Sequence, residues 1–272
     1  MRNRYRIVNE ECLSYLRTLG RQSFDFTFTS PPYVNKGKRY EGSNQKWKLD
    51  DWIEFMIPVV MECVRVTRGY SMFVVNGCVS KKSYQPACEG LVWELHKLGV
   101  TCERPAIWHK NPPPNRRDYF ANAWEYVLAF KPIADSLYFD WEAIATDRKY
   151  DSGGAFRQRT ANGKRRAGNS YPSGKKSRPR DVVYVTVGGG HMGADRKDDE
   201  LACQGEAPYP VRLAEHFIKA CCPVGGVVLD PFFGSGTTAI AAMRTSRKCL
   251  GVEVGEKQFE LAQQRVREYA KR

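Results

Sequence analysis

The sequence predicts an α/β fold, a doubly wound and largely parallel sheet with helices on both faces. Three observations carry this expectation. Short apolar strands alternate with amphipathic helices along most of the chain. Glycines at 20, 69 and 99 follow the first three helical segments and mark their ends. A bend with glycines at 234 and 236 joins an apolar strand to a helix, the usual strand-to-helix turn of such sheets. The length, 272 residues, suits one large domain with an inserted subdomain.

Taken in order, residues 5–8 read as a strand and 10–19 as a helix. Residues 24–29, FDFTFT, alternate apolar and polar and form the next strand, which runs into Ser-Pro-Pro-Tyr. The polar stretch 35–48 reads as a loop. Residues 49–66 carry apolar side chains at 52, 56, 59, 60, 63 and 64, a helical spacing, with Pro58 expected to kink or break it. Strands are expected at 70–75, 101–109 and 124–130, with a helix at 86–98. From 137 to 180 periodicity fades and Gly, Ser, Arg and Lys dominate. A strand at 181–187, a helix at 210–220, a strand at 226–230, a helix at 236–245, a strand at 248–253 and a helix at 255–269 complete the chain. No internal repeat is visible.

The formal net charge is +13, and its placement matters more than its size. Between residues 148 and 180 stand eleven Lys or Arg and one acidic residue, Asp151. A polyanion is the natural partner of such a window; the plain alternative is a solvated loop whose charges keep it soluble. The first residues, MRNRYRIVNE, lack the apolar stretch of a secretory signal, and no apolar run reaches the ~20 residues of a membrane span. Nine scattered cysteines form no CxxC pair, so reduced thiols in a cytoplasmic protein are expected, with no metal site.

Two stretches carry chemistry. The first is TSPPY, at 29–33. Two consecutive prolines cannot continue a sheet ladder, because neither has an N–H, but they make a stiff bend with free carbonyls. Alone it could equally be an ordinary turn capping a strand. The second is VVLDPFFGSGTTAIAAM, from Val227. Its glycines let main-chain N–H groups approach a ligand, and the helix N-terminus attracts an anionic group. Glu253, 23 residues past Asp230 at the next strand end, is placed to hold ribose hydroxyls. The bend has no Walker-type lysine and is not a full GxGxxG. A nucleoside with a carboxylate, such as S-adenosylmethionine, fits it better than a nucleoside triphosphate.

Together, TSPPY and DPFFGSGTT resemble the amino-group-specific DNA methyltransferases, which methylate exocyclic nitrogens of cytosine or adenine. The order, catalytic motif first and cofactor motif last, resembles the family's β subgroup. The resemblance implies a Rossmann-like S-adenosylmethionine-dependent methyltransferase sheet with an inserted basic target-recognition region. It divides the chain into a catalytic half at 1–136, a basic and partly flexible insert at 137–205, and a cofactor-binding half at 206–272. It assigns catalysis to Ser30, Pro31, Pro32 and Tyr33: Ser30 Oγ and the Pro31 carbonyl accept from the target amino group, and Tyr33 stacks on a base flipped from the duplex. It assigns S-adenosyl-L-methionine to Asp230, Pro231, Phe232, Gly234, Ser235, Gly236, Thr237 and Glu253. Double-stranded DNA is then the partner of Arg157, Arg159, Lys164, Arg165, Arg166, Lys175, Lys176, Arg178 and Arg180, most of them on phosphates.

Serine at the first motif position favours N4 of cytosine over N6 of adenine. Methylation at cytosine carbon 5 is disfavoured, since the sequence has no Pro-Cys dipeptide to supply that family's nucleophile. APYPVRLAEHFI, from Ala207, is similar to the segment that covers the methionine end of the cofactor, but Gly205-Glu206 replaces the histidine-proline pair often found before it. Rival readings are a methyltransferase acting on RNA or a protein amide, and an inactive methyltransferase fold that only binds DNA. A homodimer and a separate restriction endonuclease are both compatible with the family.

Overall fold

The computed structural model describes residues 4–34, 47–80, 82–111, 120–133, 136–147, 155–159, 162, 165–170, 176–187 and 208–271. Its first half runs β1 (Tyr5–Asn9), α1 (Cys12–Thr18), β2 (Phe26–Thr29), α2 (Leu49–Val66), β3 (Ser71–Val75), β4 (Cys78–Ser80), β5 (Ser83–Gln85), α3 (Ala87–Lys97), β6 (Thr101–Cys102), β7 (Ala106–His109) and β8 (Trp124–Lys131). Then come β9 (Thr146–Asp147), β10 (Ala155–Arg159), β11 (Arg165–Ser170), β12 (Lys176–Ser177), β13 (Val182–Tyr184), α4 (Val211–Cys221), β14 (Val227–Asp230), α5 (Thr237–Arg244), β15 (Lys248–Glu253) and α6 (Glu256–Ala270).

One sheet organises the larger of two compact units, Met1–Phe139 with Asp181–Arg272. Its order is β1-β15-β14-β2-β3-β8-β7-β13, with β6 paired to β8. All neighbours are parallel except those of β8, which runs antiparallel to β3, β6 and β7. The expected largely parallel sheet is therefore observed, with one reversed strand that alternation alone did not reveal. Central β2 and β3 are buried at every position, as strands covered on both faces must be. Leu250 and Val252 of β15 join a cluster with Leu16, Trp52, Met56 and Leu91 of α1–α3. Phe28 of β2 instead packs its ring on Phe217 of α4, centroids 5.5 Å apart.

Of the kink or break expected at Pro58, the break does not occur: helix α2 is continuous through it. Its buried stripe, Trp52, Met56, Val59, Val60, Cys63 and Val66, continues on both sides of the proline, and this burial outweighs the lost hydrogen bond. The single strand expected at 101–109 is two, β6 and β7, separated by Pro105, which has no N–H to give a ladder. The small hairpin β4–β5 was not legible, because its strands are short and largely exposed. No helix among the described residues is long and apolar enough to cross a membrane.

The second compact unit is Asp140–Arg180. It holds the antiparallel pairs β10–β11 and β9–β12. It lies inside the stretch expected to form the insert, whereas residues 182–184 pair with β7 in the main sheet.

Candidate active site

Parallel strands end on one rim of a sheet, and ligands of open α/β sheets bind there. Here β2 ends in Ser30-Pro31-Pro32-Tyr33, and its neighbour β14 ends in Asp230 and the glycine turn. The two stretches, some 200 positions apart in the sequence, are thus adjacent. One bond ties them directly: the Thr29 hydroxyl donates to Asp230 Oδ1 at 2.5 Å. Because β8 is reversed, its first residues, Trp124 and Glu125, reach the same rim.

Each catalytic candidate has a defined place. Pro31 is buried, and Ser30, Pro32 and Tyr33 are partly exposed. Trp52, fully buried in α2, donates its indole N–H to the Pro32 carbonyl at 2.6 Å. That bond fixes the bend through the second proline's carbonyl. The Tyr33 hydroxyl donates to Glu125 Oε2 at 2.6 Å.

In the glycine turn, groups that face open space are distinct from groups that hold the frame. Asp230 is only 2% exposed. Its carboxylate accepts from Thr29, from the Thr238 hydroxyl and from the Phe232 N–H at 3.2 Å, and the Tyr209 hydroxyl lies 3.5 Å away. It is turned into the protein. The hydroxyls of Ser235 and Thr237 are turned inward too, accepting from buried Arg265 of α6 at 3.1 and 3.0 Å; Arg265 also donates to the Ser235 carbonyl at 3.0 Å. What remains toward the open side is main chain. Gly236 caps α5 without a side chain, at φ +82°, which leaves the first N–H groups of that helix without a side-chain cap. An added Cβ on Gly234, at φ +51°, would meet no atom within 4 Å, so the turn opens to free space at that point. Phe232 is half-buried there, its ring centroid 6.2 Å from that of Phe55.

Glu253, at the end of β15, accepts from the Gly234 N–H at 2.7 Å and the Gly255 N–H at 3.0 Å. The two strand-end acids thus divide their work: Asp230 anchors the turn from within, and Glu253 clasps its outer edge. This donor set fits an amino-acid-bearing nucleoside: uncapped N–H groups for a carboxylate, a half-buried ring and a rim carboxylate for the sugar side.

Burial is the largest influence on Asp230 and pushes its pKa up to about 6, against the lowering pull of its hydroxyl and N–H donors; the Glu253 charge adds to the rise. An acid that holds its proton more tightly when folded makes the protein more stable when protonated. Between the ordinary value of 3.8 and about 6, the folded chain keeps a proton that the unfolded chain has released. Stability from this group is therefore highest below 3.8, falls as pH rises through that window, and is level above it. Urea unfolding of wild type and Asp230→Asn at pH 4 to 7.5 checks this: the difference between the two should change through the window, and parallel curves would contradict it.

The basic candidates lie in the second unit. Arg157 and Arg159 stand on β10, and Arg165 and Arg166 on β11. The register sets Arg159 opposite Arg165 and Gln158 opposite Arg166. Lys176, Arg178 and Arg180 are exposed, and the Arg178 guanidinium lies 5.2 Å from the Trp141 ring centroid. Lys164 and Lys175 lie outside the described residues, as do Gly205 to Ala207.

Sequence reading missed Thr29, Trp52, Glu125, Tyr209 and Arg265. Thr29 and Tyr209 fall inside stretches already singled out, TSPPY and APYPVRLAEHFI, but without a role of their own. Arg265 left a separate signal, falling three residues after Ala262 and just before Val266 on the buried face of α6, where an apolar residue is expected.

Known proteins share the family and fold of this chain. The N6_N4_Mtase model, described as DNA methylase, matches residues 24–264. The type II methyltransferase M.ScaI of Streptomyces caespitosus is 29% identical over 94% of this chain and 79% of its own length. The DNA adenine methyltransferase YhdJ of Escherichia coli K12 is 25% identical over 96% of this chain and 82% of its own. Among solved structures, PvuII DNA methyltransferase (cytosine-N4-specific) superposes with a TM-score of 0.70 at 16% identity, covering 99% of this chain and 91% of that one. TTHA0409 from Thermus thermophilus, complexed with S-adenosyl-L-methionine, gives 0.62 at 23% identity, over 97% and 94%.

Proposed function

The chain belongs to the N6_N4_Mtase family of DNA methylases, and from that premise we propose that it moves a methyl group from S-adenosyl-L-methionine to N4 of cytosine in double-stranded DNA. The observation that carries this reading is the join of the two motifs on neighbouring strand ends, through the Thr29–Asp230 hydrogen bond. Bound S-adenosyl-L-methionine supplies an electrophilic methyl group on a sulfonium. The uncapped N–H groups after Gly236 would hold its carboxylate end, Phe232 would pack on its base, and Glu253 would face its ribose hydroxyls.

The chain's own residues do the rest by placement. An exocyclic amino group is a poor nucleophile because its lone pair is delocalised into the ring. Ser30 Oγ and the Pro31 carbonyl accept its two N–H groups and so localise the lone pair for attack. Pro31 and Pro32 make those acceptors rigid, and the Trp52–Pro32 bond sets their direction. The target base leaves the duplex to reach this rim, and Tyr33 stacks on it. Orientation and electrostatic placement supply the rate gain, with no covalent enzyme intermediate.

Serine at position 30 supports cytosine; the similarity to an adenine methyltransferase supports N6 of adenine as the competing outcome. The test is incubation of unmethylated plasmid with protein and S-adenosyl-L-methionine, digestion to nucleosides and mass spectrometry. N4-methyl-2′-deoxycytidine is expected. N6-methyl-2′-deoxyadenosine would move the target to adenine, and no methylated nucleoside, with cofactor still bound, would indicate an inactive DNA-binding fold.

DNA engages the arginines of the β10–β11 hairpin in this reading. Four of the eleven residues on those two strands are arginine, a density of positive charge that suits a phosphate backbone. Replacing Arg157, Arg159, Arg165 and Arg166 together by alanine is expected to weaken binding to all duplexes alike. It should also flatten the dependence of log K on log salt by about 0.9 for each phosphate no longer neutralised. Fluorescence anisotropy across a salt series measures both; an unchanged slope would place the phosphate contacts elsewhere.

A further inference from the structure

We propose that Glu125, held by Lys110, is the positioning residue that fixes Tyr33 against the target base. This rests on the reading of Tyr33 as the ring that stacks on that base. Glu125 lies 92 positions beyond Tyr33 and belongs to neither motif, yet its Oε2 accepts the Tyr33 hydroxyl at 2.6 Å. Its Oε1 accepts from Lys110 Nζ, and Glu125 is 7% exposed.

The surroundings make this carboxylate a fixed point. Register aligns Trp108 with Glu125 and His109 with Trp124, so Lys110, just past β7, arrives beside the start of β8. The Lys110 N–H donates to the Ala123 carbonyl at 2.8 Å. From the end of β3, Asn76 donates to the Trp124 carbonyl at 2.9 Å and to Asn122 Oδ1 at 3.3 Å. Three strands thus converge on the acceptor of one tyrosine hydroxyl.

A buried ion pair is weak support for stability, because desolvation of both charges offsets much of their attraction; two apolar side chains would fill the same space as well or better. What the pair adds is direction. With its main chain held by the proline bend and its hydroxyl by Glu125, the Tyr33 ring has no freedom to swing, so a base can stack without first ordering it. Donation to a carboxylate also enriches the ring's electron density. Positive charge grows on the base while its amino nitrogen accepts the methyl group and before its proton leaves, and an electron-rich face favours that charge.

The alternative is that the pair only joins β7 to β8. A double-mutant cycle separates the two, using methyl transfer to plasmid DNA, KM for S-adenosyl-L-methionine and thermal unfolding. Tyr33→Phe is expected to lower kcat about tenfold, the size of one charge-assisted hydrogen bond, and Glu125→Gln, which keeps a neutral acceptor, by a smaller factor, with KM for the cofactor unchanged in both. Tyr33→Phe with Glu125→Gln together should lose no more than Tyr33→Phe alone, since Glu125→Gln takes the charge from a bond that Tyr33→Phe has already removed. A further variant guards against misfolding: Lys110→Met with Glu125→Met keeps an apolar pair in place and is expected to unfold no earlier than wild type, yet to share the loss in kcat. The proposal is overturned if Glu125→Gln costs as much in the Tyr33→Phe background as in wild type, or if the apolar pair keeps wild-type kcat. A wild-type protein that transfers no methyl group would instead sink the functional reading, and this inference with it.

Discussion

Replacing Ser30 with alanine is expected to lower the rate of methyl transfer about a hundredfold, the usual cost of deleting one preorganised polar group from a reacting centre, while S-adenosyl-L-methionine binds within about twofold of its wild-type affinity. The split follows from where Ser30 sits. It directly follows β2, partly exposed, beside but outside the turn that begins at Asp230. The link to that turn is made by Thr29, one residue earlier, and Ser30→Ala leaves it untouched. The bend also survives, because Trp52 grips the Pro32 carbonyl. Only the acceptor for the target amino group is removed. Ser30→Asp restores an acceptor and is expected to recover part of the rate. Equal losses in rate and cofactor affinity would move Ser30 into the cofactor site, and a variant within about twofold of wild type would remove it from catalysis.

Gly251→Val is expected, by contrast, to weaken cofactor binding strongly, although residue 251 lies in the middle of β15. A Cβ on Gly251 would stand 2.1 Å from Phe233 Cδ2 and 2.3 Å from its Cγ, so the ring must move. Phe233 cannot move alone. Its N–H donates to the Val252 carbonyl at 3.0 Å, and its carbonyl accepts from the Gly236 N–H at 2.9 Å. Displacing the ring therefore drags the turn, and the N–H groups after Gly236 lose their common direction. The expected loss of stability is that of an overpacked core, about 1–3 kcal/mol, with cofactor affinity falling about a hundredfold or more if two of those hydrogen bonds go. Isothermal titration and urea unfolding report the two effects separately. Adding Phe233→Ala clears the space and is expected to recover stability ahead of binding. A Gly251→Val protein that binds cofactor normally would show that the turn does not depend on Phe233.

The strands, the helices and both motifs were legible because each is local: period-two and helical spacing, a proline pair, a glycine bend. The frame of the site was not, because its contacts join distant positions. Thr29 looks like any polar strand residue until β14 lies beside β2 and Asp230 meets it. Trp52 reads as one more member of an apolar helical stripe, and its indole N–H matters only once Pro32 is near. Glu125 becomes informative only when β8 is known to run backwards, which brings its first residues to the rim rather than the far edge. Sequence assigned Asp230, Ser235 and Thr237 to the cofactor without saying through which atoms. In the structure those side chains face Thr29, Thr238 and Arg265, and the open side of the turn is main chain. Residue type signalled the motif correctly but could not say which atoms point outward.

The most direct measurement is a crystal structure with S-adenosyl-L-homocysteine, the product left after transfer. Its sulfur is expected between the Gly234–Gly236 turn and the Ser30–Pro31 bend, with the ribose toward Glu253 and the carboxylate toward the first turn of α5. A ligand lodged elsewhere, or a sulfur turned away from Ser30, would contradict the placement on which the proposed transfer depends.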